Sequence, residues 1–237
     1  MELSTKVFSR ENCSIFFNQH CFLCRLQSAQ RAGLCSGCLR DLPRIAPACR
    51  RCALPLTGVE SLVCGRCLKK PPPFERCITA FAYAFPINQL LPRIKYDSRP
   101  ENLGWLADAM ALELGEAPRP EILVPVPLAP ARLRRRGYNQ AELLARRLGR
   151  RLDIAVDRQS LGKPRDTPHQ MTLAGAERRR NLKGAFCWNG PAYRHLALVD
   201  DVMTTGTTVS EIANLLLRQG VARIDVWVLA RTPAPGD

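Results

Sequence analysis

Two adjacent carboxylates followed by a loop of small hydroxyl residues form the stretch of this sequence best suited to chemistry. The short apolar run 196–199 is typical of a strand buried on both faces of a parallel sheet, and Asp200 and Asp201 are expected to end that strand. The loop 204–208 comes next, with threonines around Gly206, and an apolar pattern with helical spacing follows it. The sequence therefore predicts a strand, a short loop and a helix N-terminus at this corner.

The chemistry expected of that corner is recognition of a phosphorylated sugar. A helix N-terminus suits a phosphate, because its first backbone N–H groups lack partners within the helix and its dipole is positive there. Two carboxylates beside an anion would repel it, so they are expected to accept hydrogen bonds from a vicinal diol or to hold a divalent cation through water. A P-loop lysine and a GxGxxG motif are both absent, which argues against nucleoside triphosphates and dinucleotides.

The residues of this corner also resemble a known motif. The string 198–208, Leu-Val-Asp-Asp-Val-Met-Thr-Thr-Gly-Thr-Thr, is similar to the phosphoribosyl pyrophosphate (PRPP) loop of type I phosphoribosyltransferases. The resemblance implies that Asp200 and Asp201 hold the ribose hydroxyls. It also implies a 5-phosphate site made by the loop residues Thr204, Thr205, Gly206, Thr207 and Thr208. The alternative is an ordinary strand–turn–helix corner capped by Asp and Thr side chains.

Four CxxC pairs form a second set of chemistry-bearing side chains. They are Cys21 with Cys24, Cys35 with Cys38, Cys49 with Cys52, and Cys64 with Cys67. Because each pair can present two thiolates to one ion, the spacing predicts two structural zinc sites that use all eight cysteines. Neighbouring pairs that share an ion and a crossed arrangement of the first pair with the third are both compatible with the spacing. A redox CxxC would be single and would lie in a βαβ unit, which this segment lacks.

The charge of the chain favours anionic ligands. The 237 residues carry a formal net charge of +14, and residues 121–187 contain fifteen Lys and Arg against six Asp and Glu, a surplus of nine. Such a surplus favours pyrophosphate or nucleic acid, although a basic face that is only solvated would have the same composition. No apolar run approaches the ~20 residues of a membrane span and no signal peptide is recognisable, so we expect a cytoplasmic protein without a transmembrane segment.

A basic turn follows the proline-rich apolar run 122–127. Four arginines lie in 132–136, and Asn139 can cap the helix predicted after them. Arginines beside a helix N-terminus suit a pyrophosphate.

Several motifs of this sequence are together similar to the ComF family of competence proteins, including its GntX-type members. These motifs are the stretch 122–142, the later string 167–186, the cysteine pairs and the prolines 71–73. The resemblance runs from about residue 21 to residue 231, in several motifs kept in order.

That resemblance implies two further groups of ligand contacts. The pyrophosphate loop would consist of Arg136, Gly137, Tyr138, Asn139 and Gln140. A flexible loop over PRPP would contribute Thr167, Gln170 and Arg178, for which a solvated loop is the alternative. Ala129 stands where many relatives carry histidine, which weakens an enzymatic interpretation.

The fold implied is α/β, a type I phosphoribosyltransferase-like parallel sheet with flanking helices, preceded by a small cysteine-rich double zinc-ribbon domain. We expect an N-terminal tail and the double zinc ribbon at 1–70, a proline-rich linker at 71–74 and the phosphoribosyltransferase-like domain at 75–237.

Three functions are compatible with this sequence. Family resemblance implies a PRPP-binding protein, with Mg²⁺, that handles single-stranded DNA in natural transformation or DNA utilisation and has DNA-uptake machinery proteins as further partners. The alternative is an active phosphoribosyltransferase that transfers ribose 5-phosphate from PRPP to an amine or nucleobase, for which no acceptor pocket or catalytic base can be named from the sequence. A transcriptional regulator that senses PRPP is the third, although a helix-turn-helix signal is lacking.

Overall fold

The elements of the fold are taken from a computed structural model, which describes residues 20–21, 23–26, 34–56, 58, 61–96, 102–164, 182 and 184–233. In chain order these residues form α1 (Ser36–Arg40), α2 (Gly65–Lys69), β1 (Arg76–Ala82), α3 (Ile87–Tyr96), α4 (Asn102–Glu113), β2 (Ile122–Pro125), α5 (Pro130–Arg136), α6 (Gln140–Leu152), β3 (Ala155–Val156), β4 (Leu161–Gly162), β5 (Cys187–Trp188), β6 (His195–Met203), α7 (Thr207–Arg218) and β7 (Arg223–Arg231). Thr167, Gln170 and Arg178 lie outside the described residues.

A five-stranded parallel sheet forms the centre of the fold, in the order β1-β7-β6-β2-β3. Residues 196–199 of β6 and 224–231 of β7 are buried, as expected for inner strands covered on both faces. Strands β4 and β5 form a separate antiparallel pair. The expected parallel sheet with flanking helices is therefore confirmed, and β1 lies at one edge of it.

Helices cover both faces of the sheet. Because successive side chains of a strand point to opposite faces, alternate residues of β6 enter two different buried clusters. Ala197 and Val199 pack with α3, α4 and α6, whereas Leu196 and Leu198 pack with α7. Asp108 ties α4 to α6, since both of its oxygens accept hydrogen bonds from Arg147 and Arg151 at 2.6–2.8 Å.

The direction of the chain connections sets the position of the main crevice. From β2 the chain passes through α5 and α6 to β3, on one side of β2 in the sheet. From β6 it passes through α7 to β7, on the other side. Adjacent parallel strands whose connections leave in opposite directions form a topological switch point, where a crevice opens at their carboxyl ends.

The acidic pair does not end its strand, contrary to the sequence-based expectation. β6 continues through both aspartates to Met203, because its main chain keeps pairing with β7 at Asp200 and again at Val202. β2 ends at Pro125, within the apolar run 122–127, and α3 includes Pro92.

The cysteine-rich segment packs directly on the sheet domain. Cys21, Leu34 and Leu42 belong to the same buried cluster as the apolar residues of α3 and α4. At the edge strand, the backbone N–H of Ala82 donates to the carbonyl of Pro43 at 2.6 Å. None of the helices in the described ranges has the length and hydropathy needed to cross a bilayer.

Candidate functional site

The eight paired cysteines come together in two clusters. One consists of Cys21, Cys24, Cys35 and Cys38, the other of Cys49, Cys52, Cys64 and Cys67, and within each cluster the sulfurs lie within 4.8 Å of one another. Neighbouring pairs in the sequence therefore share a cluster, and the crossed arrangement is not the one formed.

The spacing of the sulfurs fits a tetrahedral zinc ion. The Sγ atoms of Cys24 and Cys35 are 3.9 Å apart, and those of Cys52 and Cys64 are 3.7 Å apart. Zinc bound to four thiolates at about 2.3 Å separates its sulfurs by about 3.8 Å. Four thiolate donors at this spacing are the closed coordination of a structural zinc site.

In each cluster, backbone N–H groups favour the ionised form of one thiol, whereas burial raises the pKa of others, to about 12 at Cys38 and to about 11 at Cys52. The N–H of Cys64 donates to Cys49 Sγ at 3.3 Å, and the N–H of Cys38 donates to Cys35 Sγ at 3.4 Å. Burial opposes ionisation of Cys49, but backbone N–H groups, led by that of Cys64, lower the pKa of this thiol to about 7. The same balance lowers the pKa of Cys21 to about 6. A thiolate is the form that binds the metal.

The acidic pair lies at the carboxyl end of β6, beside the switch point. Both side chains are half-buried. The N–H of Asp201 donates to Asp200 Oδ1, and the N–H of Val202 donates to Asp201 Oδ1, each at 2.8 Å. Each carboxylate is thus oriented by the main chain of the residue that follows it.

The loop after the acidic pair opens α7 through a glycine. Gly206 is the N-cap residue, with φ of +77°, a left-handed conformation that favours glycine. Gly206 itself has no side chain to cap the helix, and the N–H of Thr207 makes only a long hydrogen bond to Thr205 Oγ1, at 3.4 Å, so N–H groups of the first turn remain available to a ligand. The hydroxyls of Thr205 and Thr207 share a hydrogen bond at 2.7 Å across the loop.

The predicted pyrophosphate loop is joined to the same crevice by hydrogen bonds. Asn139 Oδ1 accepts from the N–H of Ala141 at 3.1 Å and so caps α6, as predicted. Asn139 Nδ2 donates to the carbonyl of Val126 at 3.0 Å. The N–H of Val126 donates in turn to the carbonyl of Val199, the residue before Asp200, at 2.9 Å. The structure therefore brings the two predicted loops side by side at the ends of β2 and β6.

The other residues of the predicted pyrophosphate loop have structural partners. Arg136 Nη1 donates to Oε1 of the buried Gln140 at 2.7 Å, and this hydrogen bond links the two ends of the turn. Gly137 ends α5 with φ of +80°. The hydroxyl of Tyr138 donates to the carbonyl of Ile94 and anchors the loop to α3, a packing role that the sequence did not predict.

One residue of the site was missed by sequence reasoning. Arg231, the last residue of β7, is 1% exposed, and its guanidinium donates to the carbonyls of Cys52 and Met203. Burial lowers the pKa of this guanidinium. The available signal was a lone arginine at the end of a strand that is otherwise almost wholly apolar from Ile224.

Comparison with known proteins identifies the family. Residues 13–68 match the double zinc ribbon domain. The DNA utilization protein YhgH of Escherichia coli (strain K12) is 42% identical over 220 residues, which cover 90% of this chain and 96% of that protein. Competence protein F of Haemophilus influenzae is 40% identical over 232 residues, covering 91% of this chain and 98% of that one. The chain belongs to the ComF family.

Solved phosphoribosyltransferase structures overlap in part with this ComF-family protein. Adenine phosphoribosyltransferase from Saccharomyces cerevisiae is 16% identical, covers 57% of this chain and 71% of its own, and gives a TM-score of 0.36. A structural similarity this weak does not identify any functional residue in this chain. The sheet order and the two cysteine clusters define the architecture of this ComF-family protein by themselves.

Metal analysis of the purified ComF-family protein is expected to find two equivalents of zinc per chain. Removing one ligand from a cluster, by Cys38→Ser or by Cys64→Ser, is expected to lower the content by one equivalent, because a closed structural site needs all four thiolates. Cys187→Ser changes a half-buried cysteine outside both clusters and should retain two equivalents. Elemental analysis by mass spectrometry that finds far less than two equivalents in the wild type would contradict this assignment.

Proposed function

We propose that this protein binds PRPP together with Mg²⁺ in the crevice between β2 and β6, and that it handles single-stranded DNA in DNA uptake or utilisation. The observation that carries the proposal is the switch point between these strands. It brings a helix N-terminus with a glycine N-cap, two oriented carboxylates and an arginine-rich turn to the carboxyl ends of two adjacent strands. Ligands of open α/β sheets bind at such points.

Each part of PRPP has a matching group in this crevice. The N–H groups at the start of α7 suit the 5-phosphate, and the carboxylates of Asp200 and Asp201 suit the ribose diol. Arg136 and the N-terminus of α6 suit the pyrophosphate, because planar guanidinium groups and helix N-termini both favour phosphate oxygens. Carboxylate oxygens are also the donors that Mg²⁺ prefers, with ligand and water completing its coordination.

The DNA-handling part of the proposal is supported by the family and by the surface next to the crevice. Relatives of nearly the same length are named for DNA utilization and for competence. Exposed arginines lie on the two helices that frame the pyrophosphate loop: Arg134 and Arg135 on α5, Arg146 and Arg150 on α6. Such a surface suits a phosphate backbone.

A second candidate function, phosphoribosyl transfer, would use the same crevice. Displacement at the anomeric carbon requires a positioned and deprotonated acceptor. Ala129, in the loop after β2, is 1% exposed and offers no group for proton transfer at that position. This observation favours binding over transfer, and an assay of pyrophosphate release from PRPP across a panel of bases and amines separates the two.

Calorimetric titration with PRPP and Mg²⁺ tests the proposed site. Asp200→Asn and Asp201→Asn are each expected to weaken binding about tenfold to hundredfold, since hydrogen bonds to a charged group contribute about 1.5–3 kcal/mol. Glu116→Gln is the control, because it removes one carboxylate at an exposed position before the amino end of β2, whereas the crevice lies at the carboxyl end of that strand. Equal affinity of the wild type and both aspartate variants would exclude the crevice as the site.

The affinity for a single-stranded oligo(dT) is expected to fall steeply as salt concentration rises, because each phosphate contact releases about 0.7 counterion. Arg134→Gln with Arg135→Gln should lower the slope of log K against log salt concentration by about 1.4. Arg194→Gln with Arg218→Gln is the matched control, because it removes the same charge from exposed positions that precede β6 and β7, near the amino ends of these strands. Binding that is absent at low salt, or a slope changed equally by both pairs, would overturn the assignment.

A further inference from the structure

Arg231 carries a buried charge between the second cysteine cluster and the loop that leads into α7. Its Nε donates to the carbonyl of Cys52 at 2.9 Å. Its Nη1 donates to the carbonyl of Met203 at 3.0 Å and also reaches the carbonyls of Thr204 and Thr232. A single guanidinium therefore bonds to Cys52, which is 179 positions away in the sequence, and to Thr204, the first residue of the loop, which is 27 positions away.

The second cluster contributes to holding this arginine in two ways. Cys52 offers its carbonyl to Arg231 and its sulfur to the cluster. A zinc ion with four thiolates carries a net charge of about −2, which favours a buried cation nearby. A change in the cluster would therefore alter both the geometry and the charge around Arg231.

Met203 and Thr204, whose carbonyls accept from Arg231, lie at the start of the loop 204–208. The carbonyl of Met203 also accepts from the N–H of Thr232 at 3.1 Å, so the end of β6 is held twice. The side chain of Met203 lies beneath Gly206, with its Sδ 3.5 Å from the position that a Cβ of that glycine would occupy. A fixed position of Met203 therefore also restricts the position of Gly206, and with it the position of the N-terminus of α7.

The first cluster has a different environment. Cys21 and Cys35 are buried among the apolar residues of α3 and α4, on the face of the sheet away from α7. Cys49, Cys52 and Cys67 form a separate small cluster with Leu54. The two cysteine clusters thus have distinct neighbours, and the bonds through Arg231 begin in the second.

We propose that Arg231 is a positioning residue that links the second cysteine cluster to the phosphate-binding loop, so that occupancy of that cluster sets the affinity for PRPP. The proposal rests on the proposed PRPP site. It assigns to the second zinc a role in ligand binding, and to the first zinc a role in the fold alone.

Hydrogen exchange of the backbone amides in 203–208, measured by mass spectrometry on the full zinc-loaded chain without ligand, tests the link. Arg231→Lys keeps the charge but cannot bond to Cys52 and Met203 with one planar fork. Exchange in this segment is expected to become about tenfold faster in Arg231→Lys and in Arg231→Gln, since bonds to a charged group are lost. Arg223→Gln, at the other end of the same strand, is the control and should leave the segment unchanged.

The role of the metal is tested by removing one ligand from each cluster in turn. Cys64→Ser and Cys38→Ser are matched, since each alters a half-buried ligand of a four-thiolate cluster. Faster exchange in 203–208 for Cys64→Ser, with no change for Cys38→Ser, is the result expected. Equal acceleration by both variants, or by neither, would overturn the proposal.

PRPP titration of the same variants separates this inference from the proposed function. If the wild type binds PRPP, Arg231→Lys is expected to bind it about tenfold more weakly. Unchanged affinity in Arg231→Lys would refute the positioning role and leave the proposed function intact. A wild type that does not bind PRPP would refute the proposed function, while the exchange experiment would still decide whether the cluster and the loop are linked.

Discussion

Adjacent parallel strands that send their connections in opposite directions leave a gap at their carboxyl ends, and this constraint organises the protein. β2 pairs with residues 196–199 of β6, yet α6 and α7 leave these strands for opposite faces of the sheet. Two helix N-termini therefore point toward one crevice from two sides. Aspartates on one strand and an arginine-rich turn after the other become neighbours, although more than sixty residues of sequence separate them.

The cysteine-rich segment obeys a different constraint, which is that its own apolar core is too small to fold unaided. Among the described residues, the apolar cluster around the second set of cysteines has three cysteines and Leu54 as its buried members. A segment with so little apolar surface to bury depends on metal for its folding free energy. Arg231 lies where this segment meets the sheet domain, between Cys52 and Met203.

Sequence reasoning succeeded where the signal was local and failed where it depended on distant contacts. The apolar run 196–199, the capping Asn139 and the CxxC pairs were predictable, because periodicity, cap chemistry and ligand spacing act over a few residues. The pairing of the clusters and the bond from Tyr138 to Ile94 depend on tertiary packing. Arg231 was missed because its partners lie in segments that only the folded sheet brings together. Likewise, β6 continues past its aspartates because β7 pairs with it at Asp200 and again at Val202, which no pattern within β6 indicates.

A crystal structure of the zinc-loaded protein grown with Mg²⁺ and PRPP tests the central claim most directly. The account predicts the 5-phosphate on the backbone N–H groups at 206–208, the ribose hydroxyls on Asp200 and Asp201, and the pyrophosphate beside the N-terminus of α6. PRPP bound to the exposed arginines of α5 and α6, with nothing between the ends of β2 and β6, would contradict it.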